Sequence, residues 1–491
     1  MSAVSVKPQA PAAPISARIR GFDPTVWWVL AATLCALAMW VQQLGAPLFL
    51  DEGASWYVAS QPTLSGFWDV LKEQEVAPPP FYLALRAVVD GLGKNGHASM
   101  RLPVVLTTLP LIPLTAVLAR QIGASRFGIV AAAWLTALSP ALLQYGQQVR
   151  AYGPSATAAA LAAVLLFHAA DRGWTPKRSV VAAIMLGLVP WMHYVAAFPA
   201  AIVAVAVLLR APRRRAFLVV GIAGALWVAA AIFARTQYDS AGAGVDAFTE
   251  LGGLDLRRVL ATSWQGRFDG DEWLRTVGIA ALILAAGALA LRGARRRAVL
   301  LAGLGGPGLI VVVSAVGPDI VTPRYLVPAI PFLLVGLAAT LKKNAASVIV
   351  LGVLLLAGAF GVRRSLDPST GQYTDNESLI AAIGPDLVPT AVVASDNIAQ
   401  ATWLTSYVGA RRGVAGVQGA WGSGGLKQVA CGRRIIRQIV TPNMNRYVLS
   451  EWWKAADYRI RYRPLTAGNT LGIADPVPGS SACPPSGPFG G

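Results

Sequence analysis

Two adjacent carboxylates, Asp51 and Glu52, stand directly behind an apolar run, 26–44, that is long enough to cross a bilayer. An acid pair at that depth must face water at the membrane surface or line a protected polar cavity. In the second case one carboxylate suits a general base, and the pair is a candidate ligand set for a divalent cation, Mg2+ or Mn2+. An ordinary hydrated loop after a helix would have the same two residues. Further groups follow downstream: Tyr82 behind Pro78-Pro79-Pro80; Gln147, Arg150 and Tyr152 in the segment 144–152; His193-Tyr194; and Arg324-Tyr325 behind Thr322-Pro323. Each has a plain structural reading, as an interfacial anchor or a hydrogen-bonded helix end. An arginine just before a span, as Arg324 is, also invites an anionic partner such as a phosphate, which the planar guanidinium grips through paired hydrogen bonds; Arg150 is the second candidate.

The elements that must position these groups are transmembrane helices. The chain has 491 residues, 55% hydrophobic and only 13% charged, with a mean hydropathy of +0.53. Such a composition describes a polytopic helical membrane protein. The net charge of +18 is then a set of loop anchors and not a nucleic-acid surface. Basic residues cluster at Arg18/Arg20, Arg120/Arg126, Arg172/Lys177/Arg178, Arg210/Arg213/Arg214/Arg215, Arg292/Arg295/Arg296/Arg297 and Lys342/Lys343. Positive residues in short loops stay in the cytoplasm, so the chain must leave and return between successive clusters. The expected spans are 26–44, 102–119, 127–143, 154–170, 179–194, 195–209, 216–234, 276–291, 298–316, 323–341 and 345–362, about eleven helices. The N-terminus lies inside and the C-terminus outside on this reading. Asp51/Glu52, 144–152, His193-Tyr194 and 319–324 then all fall at outward helix ends, where random loop polarity would scatter them over both sides.

The rest of the chain divides by composition. Residues 1–22, rich in Ala and Pro, read as a disordered cytoplasmic N-terminus. The membrane domain covers 23–362, with long exterior loops at 46–100 and 235–275. Within the first loop, 81–92 is apolar but too short to cross and is expected in the interface. Residues 363–491 read as a soluble exterior domain of α/β type, with a buried strand at 391–396 and helices at 379–383 and 399–407. No internal repeat of transporter type is visible. Cys431 and Cys483 both follow the last span. In an oxidising exterior they are the available disulfide pair, with two buried free thiols as the alternative.

The order of these pieces resembles the GT-C glycosyltransferases, and among them the protein O-mannosyltransferases and the aminoarabinose transferases of lipid A. The matching residues are Asp51-Glu52, Pro79-Pro80-Phe81-Tyr82, Arg101-Leu102-Pro103, Ser139-Pro140, Gln147 to Tyr152, His193-Tyr194 and Pro323 to Pro328. The resemblance covers roughly 25–362. It departs where family members often place His before the Pro-Pro pair (here Pro78) and where the aminoarabinose branch has an Asp in the second exterior loop. The resemblance implies an all-α membrane bundle of GT-C type with a small α/β exterior domain, in a bacterial cytoplasmic membrane, its site facing outside. It implies transfer, with inversion, of a sugar from a polyprenyl-phosphate donor to a lipid, glycan or protein acceptor of the envelope. Asp51 would be the general base and Glu52 its neighbour at acceptor or cation. Arg324 with Tyr325, Arg150, Tyr152, Gln147, His193, Tyr194 and Tyr82 would meet donor and substrate. The rival reading is a transporter or flippase of lipid-linked saccharides, which also gathers polar groups inside a helical bundle. A non-catalytic envelope-assembly protein is the third, and it leaves Asp51 and Arg324 without a task.

Overall fold

A computed structural model describes residues 23–46, 48, 50–92, 97–245, 293–316 and 322–366, together with the five strands of a C-terminal sheet. The expected span 276–291, Asp319, the helices expected at 379–383 and 399–407, Cys431 and Cys483 lie outside the described residues, as does the side chain of Asp51.

Helix α1, Pro24–Trp40, starts at Asp23, whose carboxylate caps the Thr25 N–H, with Pro24 in the first turn. A 3-10 turn, Val41–Gln43, ends it. The long loop expected at 46–100 is itself helical: α2 Leu50–Ala59, α3 Leu64–Gln74 and α4 Pro79–Leu92. Helix α4 contains the expected interfacial segment and presents an exposed Leu83 and Leu92 beside a buried Tyr82, Leu85 and Val89.

Helices α5, His97–Thr108, and α6, Leu111–Gln121, together form one apolar stretch of 25 residues. The expected single span 127–143 is instead bent. Helix α7, Arg126–Ala137, and α8, Pro140–Gln147, meet at 52°. The break falls at Ser139-Pro140, where the proline lacks the N–H that would continue α7 and the serine hydroxyl caps the Leu142 N–H. Helix α9, Tyr152–Arg172, is followed by α10, Pro176–Met192, and α11, Ala197–Leu208. The apolar run 179–209 is thus two helices, parted by an extended His193 and a short 3-10 turn, Tyr194–Ala196.

Helix α12, Arg213–Val245, runs beyond the expected end at 234, so the exterior loop expected from 235 begins as helix. Helix α13 is Ala294–Val316. The expected span 323–341 opens as a 3-10 segment, Pro323–Ala329, before α14, Ile330–Ala338. The last helix is α15, Ala345–Leu366. Among the described residues six helices are long and apolar enough to cross a membrane, seven with the bent pair counted as one span. Helix α10 packs on α9 and α12, and α13 on α11 and α14. The core is small-residue rich, with Ala156, Ala159, Ala160 and Ala163 of α9 against Ala182 and Ala183 of α10. Small side chains let helix backbones approach closely where lipid offers no hydrophobic drive between them.

The C-terminal strands are β1 Val392–Ser395, β2 Gln418–Trp421, β3 Ile435–Ile439, β4 Tyr458–Pro464 and β5 Thr470–Pro476. They form one sheet of order β2-β1-β3-β5-β4. Strand β1, which includes most of the strand expected at 391–396, is parallel to β2 and β3, while β5 is antiparallel to β3 and β4.

The two ends of the bundle differ in chemistry. At one end Arg295 pairs with Asp171 at 2.5 Å. Arg296 there donates to the carbonyls of Ile122, at 3.3 Å, and Gly123. Ser125 donates to the Leu341 carbonyl at 3.0 Å. The loops of four basic clusters therefore meet. The opposite end gathers α2, the link 148–151, the His193 turn and the 3-10 segment 323–329.

Candidate active site

Helix α2 is fixed by its second carboxylate. Glu52 is fully buried and takes a forked ion pair from Arg101 of α5, Nε to Oε1 at 2.8 Å and Nη2 to Oε2 at 2.6 Å. The Val149 N–H adds a bond to Oε1 at 2.9 Å. Arg101, also fully buried, turns its remaining nitrogen to the end of α1, donating from Nη1 to the carbonyls of Gln43 at 3.1 Å, Leu44 at 3.2 Å and Ala46. One residue pair thus joins α1, α2, α5 and the link after α8. A buried pair of this kind stabilises mainly through the number of bonds that satisfy both charges.

The second carboxylate–guanidinium pair lies in the same region. Arg150 Nη1 donates to Glu75 Oε1 at 2.7 Å and to the Tyr82 hydroxyl at 2.7 Å. Tyr82 also hydrogen-bonds with Ser55 of α2, and burial pushes its phenol above the ordinary tyrosine range, so it stays neutral. Glu75 occupies the turn between α3 and α4. That turn is held by Gln237 of α12, which is fully buried. Gln237 donates from Nε2 to the Leu71 carbonyl at 3.2 Å and the Ala77 carbonyl at 2.9 Å, and accepts from the Tyr194 hydroxyl at 2.7 Å.

An aromatic group stands beside these pairs. The His193 ring is 5.1 Å from Tyr152 and 5.1 Å from Tyr325, and Tyr152 is 5.5 Å from Tyr145. The Arg324 guanidinium lies 5.9 Å from the Tyr325 ring centre. The positive charges of Arg150 and Arg324 both act on His193. His193 Nδ1 and Gln147 Oε1 are buried without a hydrogen-bond partner, and a buried polar atom of that kind calls for a water or a ligand.

Of the residues singled out from the sequence, Tyr82, Arg150, Tyr152, His193, Arg324 and Tyr325 therefore come together. Gln147 is buried at the last position of α8. Tyr194 turns its hydroxyl to Gln237 instead. Glu52, expected at an acceptor or a cation, has both carboxylate oxygens in the pair with Arg101. Glu75 and Gln237 were missed: one lies in a charged loop, the other at the polar end of an apolar run, and neither has a local signature.

The described carboxylates of the site do not fit a divalent cation, since Glu52 and Glu75 each face a guanidinium. Among the described residues no group of three or more His, Cys, Asp or Glu side chains is gathered as metal ligands would be.

No family model matches the chain, and no curated protein matches it in sequence. Solved structures do. ArnT from Cupriavidus metallidurans matches in its apo state with a TM-score of 0.55 at 14% identity, over 92% of this chain and 98% of that one. The same protein bound to undecaprenyl phosphate gives 0.52 at 14% identity, over 93% and 99%. The oligosaccharyltransferase AglB from Archaeoglobus fulgidus, in complex with an inhibitory peptide and a dolichol-phosphate, gives 0.52 at 12% identity, over 92% and 74%. The arabinofuranosyltransferase AftD from Mycobacteria gives 0.52 at 17% identity, over 92% of this chain but 40% of its own length. Likeness at this level of identity is a likeness of fold, and with the bundle and its polar end described, the chain has the fold of the GT-C glycosyltransferases.

Proposed function

We propose that the protein is a membrane glycosyltransferase that moves a sugar from a polyprenyl-phosphate donor to an envelope acceptor at the polar end of the bundle. The observation that carries this reading is the meeting of Arg150, Tyr152, His193, Arg324 and Tyr325, from three separate segments, beside α2, whose first turn contains Asp51. Undecaprenyl phosphate in ArnT and dolichol-phosphate in AglB support a lipid-phosphate ligand for the shared fold.

An alcohol is a poor nucleophile until its proton begins to leave, which calls for a base. Asp51, in the first turn of α2 beside the anchored Glu52, is assigned that role. Glu52 itself acts here as the clamp of that turn and not as a cation ligand. The acceptor oxygen forms its bond to the anomeric carbon as the carbon–oxygen bond to the phosphate breaks, and the phosphate keeps the bonding electrons. Negative charge grows on that phosphate in the transition state, so a cation stabilises departure. Arg324 is assigned to it, with Arg150 adding positive potential from its place between Glu75 and Tyr82. His193 Nδ1 and Gln147 Oε1 offer bonds to sugar hydroxyls, which serve as donor or acceptor as required. Inversion at the anomeric carbon and an outward-facing site in a cytoplasmic membrane complete the proposal.

The test is to incubate membranes containing the protein with a panel of radiolabelled polyprenyl-phosphate sugars and to follow label into acceptor. Transfer from one donor, lost in Arg324→Ala, is expected. Import or flipping of the intact lipid-linked sugar without glycosidic transfer would overturn the reading.

A further inference from the structure

Four basic clusters meet at the end away from the site, yet a further basic pair, Arg363 and Arg364, closes helix α15 at the site end. A helix C-terminus favours positive charge, which accounts for a basic last turn. It does not account for what lies beside it. A cleft of about 430 Å3 opens there, between the last turns of α1 and α15 and the bend that joins α7 to α8. Met39, Leu138, Ala359 and Val362 form its walls, and Gln42 and Arg363 stand at its rim. That volume is in the range of ligand clefts.

Glycines bring the two sides together. A Cβ on Gly358 would meet the Leu138 carbonyl oxygen at 2.5 Å, and one on Gly361 would meet Pro140 Cγ at 2.5 Å. The backbone of α15 is thus pressed against the bend beside the cleft. Arg364 is used elsewhere, 5.9 Å from the Phe360 ring centre, while Arg363 and Gln42 are exposed at the rim. Along α15 the exposed apolar face continues toward the bilayer through Leu356, Val353 and Ile349.

We propose that this cleft binds an anionic phospholipid of the surrounding bilayer. Its phosphate sits on the Arg363 guanidinium and the Gln42 carboxamide, and one acyl chain lies along Met39, Leu138, Ala359 and Val362. The occupant must be amphiphilic, because the walls belong to membrane-crossing helices and the rim lies at their ends. The observations favour an anionic occupant, because the rim offers a cation and a hydrogen-bond donor and the described lining residues include no carboxylate. The site borders the machinery without entering it. Gln43, next to Gln42, donates to the Ser365 carbonyl at 2.8 Å and accepts from Arg101 at 3.1 Å, so a lipid seated there straps α1 to α15 behind the Glu52–Arg101 pair.

The test uses the full-length protein in mixed phosphatidylglycerol–phosphatidylcholine nanodiscs, with retained lipid counted by native mass spectrometry. Wild type is expected to retain phosphatidylglycerol in preference to phosphatidylcholine. Arg363→Gln should lower that preference about fivefold, the effect of one basic side chain at an anionic surface. Ala359→Trp, which fills the cleft, should remove the retained lipid, and Arg178→Gln at the other end should change nothing. No preference in wild type, or retention unchanged in Arg363→Gln or Ala359→Trp, overturns the proposal. Displacement of phosphatidylglycerol by equimolar undecaprenyl phosphate also overturns it, and gives the cleft to the sugar donor instead.

Discussion

Asp51 and Glu52 are neighbours in the chain but are assigned different work. Glu52 is consumed by Arg101 and the Val149 N–H, which leaves Asp51 as the carboxylate for proton removal in the proposed transfer. Asp51→Asn is expected to lower turnover about 10²–10⁴-fold with an unchanged melting temperature, the usual effect of losing a general base. A transfer assay beside a thermal melt checks both halves, and near-normal turnover removes Asp51 from the mechanism. Arg324 is the matching test on the donor side. Arg324→Ala should weaken binding of undecaprenyl phosphate about 10–100-fold, the range for a hydrogen bond to a charged group. Arg324→Lys should recover part of that loss, since it restores the charge but not the planar fork. Titration of the lipid against both variants reads this directly, and wild-type affinity in Arg324→Ala makes the arginine an interfacial anchor.

Between elements, the Glu52–Arg101 pair is the joint at which α1, α2, α5 and the 148–151 link meet. Removing one partner strands the other charge, at a cost of about 3–5 kcal/mol for a buried pair. Glu52→Gln and Arg101→Met are each expected to be strongly destabilising, and the double variant less so than their sum. Denaturation of all three checks this, and simple additivity would mean the two side chains act independently. This joint was only half legible in the sequence. Arg101-Leu102-Pro103 and Asp51-Glu52 both stood out, but a pairing 49 positions apart leaves no periodic trace. That the segments of Arg150, His193 and Arg324 share one end of the bundle was legible, because charge at loop ends sets which helix ends share a face. The 52° break between α7 and α8 was not anticipated, although Ser139-Pro140 marks it. Hydropathy averages over such a capped turn and reports one span. Helix α12 was cut short for the opposite reason: Arg235, Thr236 and Gln237 look like loop, yet Gln237 is helical and buried because its amide meets two carbonyls and a hydroxyl.

At the scale of the whole molecule, the alternation of basic clusters and apolar helices sets the proposed topology. Reporter fusions after Lys343 and after Asp367 are expected on opposite sides of the membrane, with the second outside, because α15 lies between them. The same side for both would break that parity and turn the polar end of the bundle away from the envelope. The buried joint also has a consequence for how the chain is made. Glu52 leaves the ribosome first, Arg101 follows 49 positions later, and the Val149 N–H arrives 97 positions after Glu52. Until α5 has been synthesised, the segment after α1 holds a carboxylate whose native partner does not yet exist. An ordered biogenesis of the N-terminal third is therefore expected: α1 can insert alone, but the joint of α1 and α2 closes only once Arg101 has been made. A nascent chain stalled before that point would carry the Glu52 carboxylate without its native partner.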